Sequence, residues 1–275
     1  MGNKAWAGII EAPNPGRTLK PRTRGLTMVL DKGLGCHATQ DLMAIAGDHI
    51  DSLKLTFGTS THYDEAVLRE KIEIVTAAGV DIYPGGTLLE VAVWQDCCAA
   101  FLKRAWELGF TGIEVSDGTL EMSDSQRAEC IRRALDAGFK VVSEVGKKSP
   151  DEEVASAEMH RLVAHDLELG VSVVIIEARE GGTGIGIFDR SGAVEVDELD
   201  AIVAGVADLD KIMWEAPLKN QQQYLILRFG PNVNLGNIPT TDVLALESLR
   251  QGQPGDTLKS AISQNTYLPN SSRDK

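Results

Sequence analysis

Positive charge is scarce in this sequence: 27 lysines and arginines face 40 aspartates and glutamates over 275 residues, a formal charge of −13. Such a surface has no general attraction for a phosphate backbone or an anionic bilayer, which argues against nucleic acid and membranes as partners. Cysteine is scarce too. The four stand at positions 36, 97, 98 and 130 with no C-x-x-C spacing, so neither a zinc site nor a disulfide framework is expected, and a reducing, cytoplasmic setting fits. Long apolar runs are missing. Nothing approaches the roughly 18 to 20 residues of a membrane span, and Met1–Arg24 carries prolines and basic residues in place of a signal-peptide core. What remains is a soluble protein working on small molecules. Its charge poses a question, because an anionic substrate would need a few placed cations or a metal.

Hydrophobic residues make up 43% and charged residues 24%, enough apolar material for a packed core. From Gly25 onward, short β-branched or apolar runs alternate with longer amphipathic ones. Strands are predicted at Leu26–Asp31, Ile50–Phe57, Val80–Pro84, Gly112–Ser116, Lys140–Val145, Ser172–Ala178, Lys211–Glu215 and Asn232–Leu235. Helices are predicted at about 37–46, 64–78, 96–108, 124–137, 151–169, 196–205, 218–229 and 240–249. Asp64, Ser123 with Gln126 three residues on, and Asp242 are the candidate N-caps, and several helices stop at glycine, as at Gly79 and Gly109. Eight β-then-α units imply a parallel sheet, since a crossover helix lets successive strands run the same way. The expected fold is α/β: a single-domain (β/α)8 TIM barrel over residues 25–250, after an N-terminal extension 1–24 and before a polar, mobile tail 251–275. An open sheet of the same units is the rival. The oligomeric state is left open, a homo-oligomer included.

In such a barrel the chemistry belongs at the carboxyl ends of the strands. Nearly every strand here ends in a charged or amide residue. Alternation puts Glu114 on one face with Ser116 and Glu177 with Arg179, leaving Ile113, Val115, Ile176 and Ala178 to face the helices. The expected inward set is Asp31 or Lys32, Lys54, Glu114, Ser116, Glu144, Glu177, Arg179 and Glu215. Buried charges must be paired or bind a metal. A salt-bridge lattice explains any one of them, but their concentration at one end reads better as a hard divalent cation, Mg2+, on some of Glu114, Glu144, Glu177 and Glu215. Lys54, Lys147 and Lys148 are the candidate proton-transfer lysines. Lys32 and Arg179 would neutralise an anionic substrate, with Ser116 and Asn234 as further contacts. The bare N–H groups of Gly85 and Gly86 could approach a phosphate. The run Gly181-Gly182-Thr183-Gly184-Ile185-Gly186 is neither a P-loop nor a dinucleotide fingerprint, and serves equally as a lid or an anion cradle.

The strand-end motifs, taken together, resemble one family. GLTMVLDKG at Gly25–Gly33, KLTFGTS at Lys54–Ser60, YPGGTL at Tyr83–Leu88, EVSDG at Glu114–Gly118, SEVGKK at Ser143–Lys148, IEARE at Ile176–Glu180, and EAP at Glu215–Pro217 with Asn234-Leu235 resemble phosphosulfolactate synthase, in order, from about residue 20 to 258. The resemblance implies a TIM-barrel lyase that adds sulfite to phosphoenolpyruvate with Mg2+, on a route to coenzyme M. It also implies that Lys148, with Lys147 beside it, delivers the proton, and that Lys32, Lys54 and Arg179 neutralise phosphate and carboxylate. Thr183 and Ile185 stand where family members carry lysine. A paralogue adding another nucleophile to phosphoenolpyruvate is therefore the alternative, followed by a Schiff-base lysine aldolase and a non-catalytic heat-stress-associated protein.

Overall fold

The apolar runs of the sequence become eight short strands in this computed structural model, which describes residues 4–146, 155–178, 181–184 and 186–263. They are β1 (Thr27–Asp31), β2 (Ser52–Leu55), β3 (Asp81–Pro84), β4 (Gly112–Val115), β5 (Lys140–Val145), β6 (Val173–Ile176), β7 (Ile212–Glu215) and β8 (Asn234–Pro239). Between and after them lie α1 (Cys36–Ala46), α2 (Glu65–Ala77), α3 (Gly86–Trp94), α4 (Cys98–Leu108), α5 (Asp124–Asp136), α6 (Ser156–Glu168), α7 (Val196–Ala204), α8 (Lys219–Phe229), α9 (Val243–Arg250) and α10 (Gly255–Ser263). The predicted cap at Ser123 is a full capping box with Gln126, whereas Asp64 and Asp242 make no side-chain cap bond.

All strand pairs are parallel, in the order β3-β2-β1-β8-β7-β6-β5-β4. The two ends of that order meet. Thr111, just before β4, donates its N–H to Ile82 O of β3 at 3.1 Å, and its Oγ1 accepts from Ile82 N at 2.9 Å. The sheet therefore curls into a barrel and the open-sheet rival falls away. Period-two alternation sorts the side chains as expected. Met28, Tyr83, Val173, Ile175 and Met213 form one apolar cluster inside the barrel. Leu53, Ile113, Val115, Val145, Ile176 and Ala178 belong to the larger layer between strands and helices.

Three departures from the sequence reading have local causes. An additional helix, α3, directly follows β3, because Gly86-Thr87-Leu88-Leu89-Glu90-Val91-Ala92 continues as a buried helix instead of a loop. Strand β8 begins and ends later than expected, with a register shift against β1 and a left-handed φ of 54° at Asn237. Helix α10 occupies 255–263 where the sequence reads as a polar tail, and it buries Thr257 and Ala261 one turn apart. The last residues of the expected tail, 264–275, lie outside the described residues.

The extension straps the amino-terminal end of the barrel. Arg17 Nε donates to Glu247 of α9 at 3.1 Å and its Nη1 to Gly25 O at 2.8 Å, while Arg22 Nε meets Asp51 at 2.8 Å ahead of β2. Arg250, fully buried, donates to Pro231 O and Val233 O, both at 2.7 Å. That end is closed by structure, so the chemistry is left to the other.

Candidate active site

Lys54 sits near the end of β2 with its side chain inside the barrel, and three strands deliver a glutamate to it. Its Nζ lies 2.9 Å from Glu114 Oε1 on β4, 3.0 Å from Glu144 Oε2 on β5 and 3.5 Å from Glu215 Oε1 on β7. Glu177, one residue past β6, joins the group from the neighbouring strand end. One carboxylate oxygen each from Glu144, Glu177 and Glu215 lie within 4.8 Å of one another. All of these side chains are buried.

The backbone holds the carboxylates as firmly as the lysine does. Glu114 Oε1 accepts the Gly86 N–H at 2.7 Å, and Glu215 Oε2 accepts the Ala178 N–H at 3.0 Å. Gly86 is required for this contact: a Cβ there would stand 2.6 Å from Ser116 Cβ and 2.9 Å from Glu114 Oε1. Gly186, with φ at 61°, is likewise pressed against the backbone oxygen of Glu177, which no side chain would tolerate. Farther along the same loop, Gln221 of α8 donates to Gly182 O at 2.6 Å. The glycine run is thus packed onto the strand-six glutamate.

Electrostatics follows from the count of charges. Burial works to lower the Lys54 ammonium, but Glu114, Glu144 and Glu215 outweigh it and hold the group well above its ordinary value. Burial pushes the Glu114 carboxyl up to about 7 against the pull of Lys54, and Glu215 shifts the same way for the same reason. Glu114 Oε2 is buried with no hydrogen-bond partner among the described residues. The three carboxylate oxygens that Glu144, Glu177 and Glu215 bring together fit a hard divalent cation, whose ligands are oxygens.

Not every candidate is brought to this cluster. Glu114 pairs with Lys54 and Gly86 and stands apart from the three-carboxylate group. The Gly86 N–H is already committed to Glu114, so it is not free for a phosphate as the sequence suggests; Gly85 caps α3 with Leu55 O packed against it. Lys32 is exposed at the rim, its Nζ 5.7 Å over the Phe57 ring. Asp31 points elsewhere: it pairs with the buried Lys71 of α2 at 2.5 Å and accepts the Gly33 and Leu34 N–H groups. Asn234 opens β8 at the opposite end of the barrel, where it accepts from Leu26 N and donates to Asp210 O and Ile212 O. It pins strand starts and does not line the mouth, because β8 begins at this residue rather than finishing near it. Lys147, Lys148 and Arg179 lie outside the described residues.

Two participants escape the sequence reading. Glu90, buried on α3, accepts from Thr119 N at 2.9 Å and Leu120 N at 2.5 Å, and Ser116 Oγ stands 2.8 Å from its other oxygen and 3.1 Å from Glu144 Oε1. A hydroxyl has one proton, which Ser116 can donate to Glu90 or to Glu144, so the hydroxyl is shared between the two carboxylates. The available signal was a single charged residue in an otherwise apolar helix, GTLLEVAVW. Arg127, buried on α5, forks onto Asp166 of α6, Asp117 and the Glu144 carbonyl, fixing β5 from behind.

Comparison with known proteins gives the family. The family model for (2R)-phospho-3-sulfolactate synthase (ComA) matches residues 15–256. The phosphosulfolactate synthase of Methanothermobacter thermautotrophicus is 44% identical over 246 residues, covering 89% of this chain and 95% of the relative. That of Methanocaldococcus jannaschii is 45% identical over 236 residues, covering 85% and 94%. The Escherichia coli YdjI aldolase structure superposes with a TM-score of 0.53 at 10% identity, over 89% of this chain and 91% of that one, a likeness of fold alone. The chain belongs to the (2R)-phospho-3-sulfolactate synthase family of enzymes.

Proposed function

We propose that this enzyme adds sulfite to phosphoenolpyruvate to give phosphosulfolactate, with Mg2+ held by Glu144, Glu177 and Glu215. The observation that carries the reading is the buried meeting of those three carboxylates beside Lys54, in a chain 44% identical to a phosphosulfolactate synthase. In the reaction the sulfite sulfur forms a bond to the methylene carbon. The π electrons move toward the substrate carboxylate, and a proton then reaches the carbon that bears the phosphate. A bound divalent cation supplies charge neutralisation for that carboxylate. Lys54 holds Glu114, Glu144 and Glu215 in register and contributes a fixed positive charge in a dry site, where it counts for more than in water. Ser116, within hydrogen-bond distance of both, links Glu90 to Glu144. Lys32 at the rim and Arg179 attract the two anions, and Lys148, with Lys147 next to it, is the proton donor that the family resemblance implies.

The Schiff-base alternative needs a neutral lysine amine, and Lys54 among three carboxylates is held as the ammonium. The test is incubation with phosphoenolpyruvate, sulfite and Mg2+, following loss of the enolpyruvate absorbance. Loss should require both sulfite and the divalent cation, and Lys54→Met should lower the rate by about a hundredfold or more while the protein stays folded. Consumption with another nucleophile but not sulfite, or undiminished by a chelator, would overturn it.

A further inference from the structure

One side chain fastens the loop between β6 and α7 at two points. Gln221, buried in the first turn of α8, gives both amide hydrogens to it: Nε2 donates to Gly182 O at 2.6 Å and to Gly192 O at 3.3 Å, while Oε1 accepts the Leu218 N–H at 3.0 Å. Asn220 Nδ2 adds a bond to Gly192 O at 2.9 Å. Glycine is required where the amide meets the loop. Gly182 has a φ of 61°, and a Cβ there would stand 2.8 Å from both amide atoms of Gln221 and 2.7 Å from Pro217 Cγ. Between the two attachments the loop is folded on itself, with the Gly184 N–H donating to Asp189 O and Asp189 Oδ1 accepting the Ser191 and Ala193 N–H groups. Ile187 and Phe188 bury its middle in the core.

The same loop presses on the strand-six glutamate. Gly186 lies so close that a Cβ there would be 2.3 Å from the Glu177 backbone oxygen. Ala178, next in the chain, donates its N–H to Glu215 Oε2 at 3.0 Å, so the end of β6 is tied to the carboxylate of β7. The start of α8 also grips the end of β7 directly, through Gln222 Nε2 and Ala216 O at 3.0 Å.

We infer that Gln221 is a positioning residue for Glu177 and Glu215, acting through the backbone of the β6–α7 loop that it clamps against the start of α8. The inference rests on the proposed divalent-cation site. With both donors gone, the loop no longer holds the Glu177 backbone against the strand that carries Glu215, and the carboxylates lose their fixed separation.

The test uses the full chain without substrates and Mn2+ as the probe, a cation that takes the same oxygen ligands, with the free ion followed by electron paramagnetic resonance. Gln221→Met keeps the length of the side chain and removes both donors. It should weaken Mn2+ binding about 10- to 100-fold, the usual effect of losing a support behind a metal ligand. Trypsin should also cut faster after the exposed Arg190 in the loop, with cuts elsewhere unchanged. Gly182→Ala breaks the clamp from the loop side and should have both effects, which keeps the inference testable if Gln221→Met fails to fold. Parent-like Mn2+ affinity in either folded variant, or unchanged cleavage after Arg190, overturns the inference. A parent that binds no Mn2+, or binds it as tightly after Glu177→Gln, defeats the cation reading itself and the inference with it.

Discussion

A lysine buried among glutamates feels two opposed pulls on its charge, desolvation against attraction, and at Lys54 the three carboxylates win. The same balance leaves Glu114 with a carboxyl raised from 4.5 to about 7, chiefly by burial. Below 4.5 that carboxyl is protonated both folded and unfolded and contributes nothing to stability. Between 4.5 and about 7 the unfolded chain releases a proton that the fold retains, so the fold is progressively penalised as pH rises. In the metal-free state the parent should therefore lose stability relative to Glu114→Gln across that window, and not on its acid side, as measured by urea unfolding at a series of pH values. Glu90 offers a second test at this scale. Glu90 shares the Ser116 hydroxyl with Glu144, so on the proposed metal site its replacement by Leu should reduce Mg2+ affinity or kcat about 10- to 100-fold, the usual effect of losing a support behind a metal ligand. Glu90→Gln, which keeps an oxygen for the Thr119 and Leu120 N–H groups, should recover much of the loss; equal damage from both variants would reduce Glu90 to a general structural role. The strand glutamates and Lys54 were legible because a charge inside an apolar strand stands out. Glu90 was not, since a lone glutamate on a helix usually faces water.

Elements carry the site only because the barrel closes. The seam between β3 and β4 depends on Thr111, whose Oγ1 is the acceptor for the Ile82 N–H at 2.9 Å. Thr111→Val keeps the shape and removes that acceptor, which should cost about 1–3 kcal/mol in a denaturant titration. A change no larger than a surface substitution would show that the seam does not need it. Helix α3 joins this seam to the mouth, since its first N–H holds Glu114 and its Glu90 holds Ser116 and the loop after β4. The sequence shows eight strands and most helix positions, because period-two and near-3.6 patterns survive without tertiary context. It misses α3, whose apolar character on nearly every side gives no amphipathic signal, and it misplaces β8, where a bulge shifts the register.

Across the whole molecule, acidic residues outnumber basic ones by 13. Among the described residues Arg17, Lys20 and Arg22 of the strap bind the amino-terminal end, while glutamates meet at the opposite end. Arg22→Met would strand Asp51, the largely enclosed half of the pair, whose other oxygen accepts the Thr27 N–H, at a cost of about 3 kcal/mol. The midpoint of thermal unfolding should then fall by roughly 6–12 °C, and an unchanged midpoint would make the strap dispensable. The described residues contain no helix long and apolar enough to cross a membrane.

The sequence by itself determined the eight β/α units, the parallel strand direction, the inward face of most strands and the family, because strand periodicity, crossover helices and strand-end motifs are local and ordered along the chain. Only the tertiary structure decided that the sheet closes and which charges meet. Glu144, Glu177 and Glu215 converge because neighbouring strands bring their ends together, Asp31 turns away to pair with Lys71 of α2, and Asn234 falls at the far end because β8 begins with it. Such pairings depend on register and on side chains distant in sequence, and no spacing along one chain encodes them.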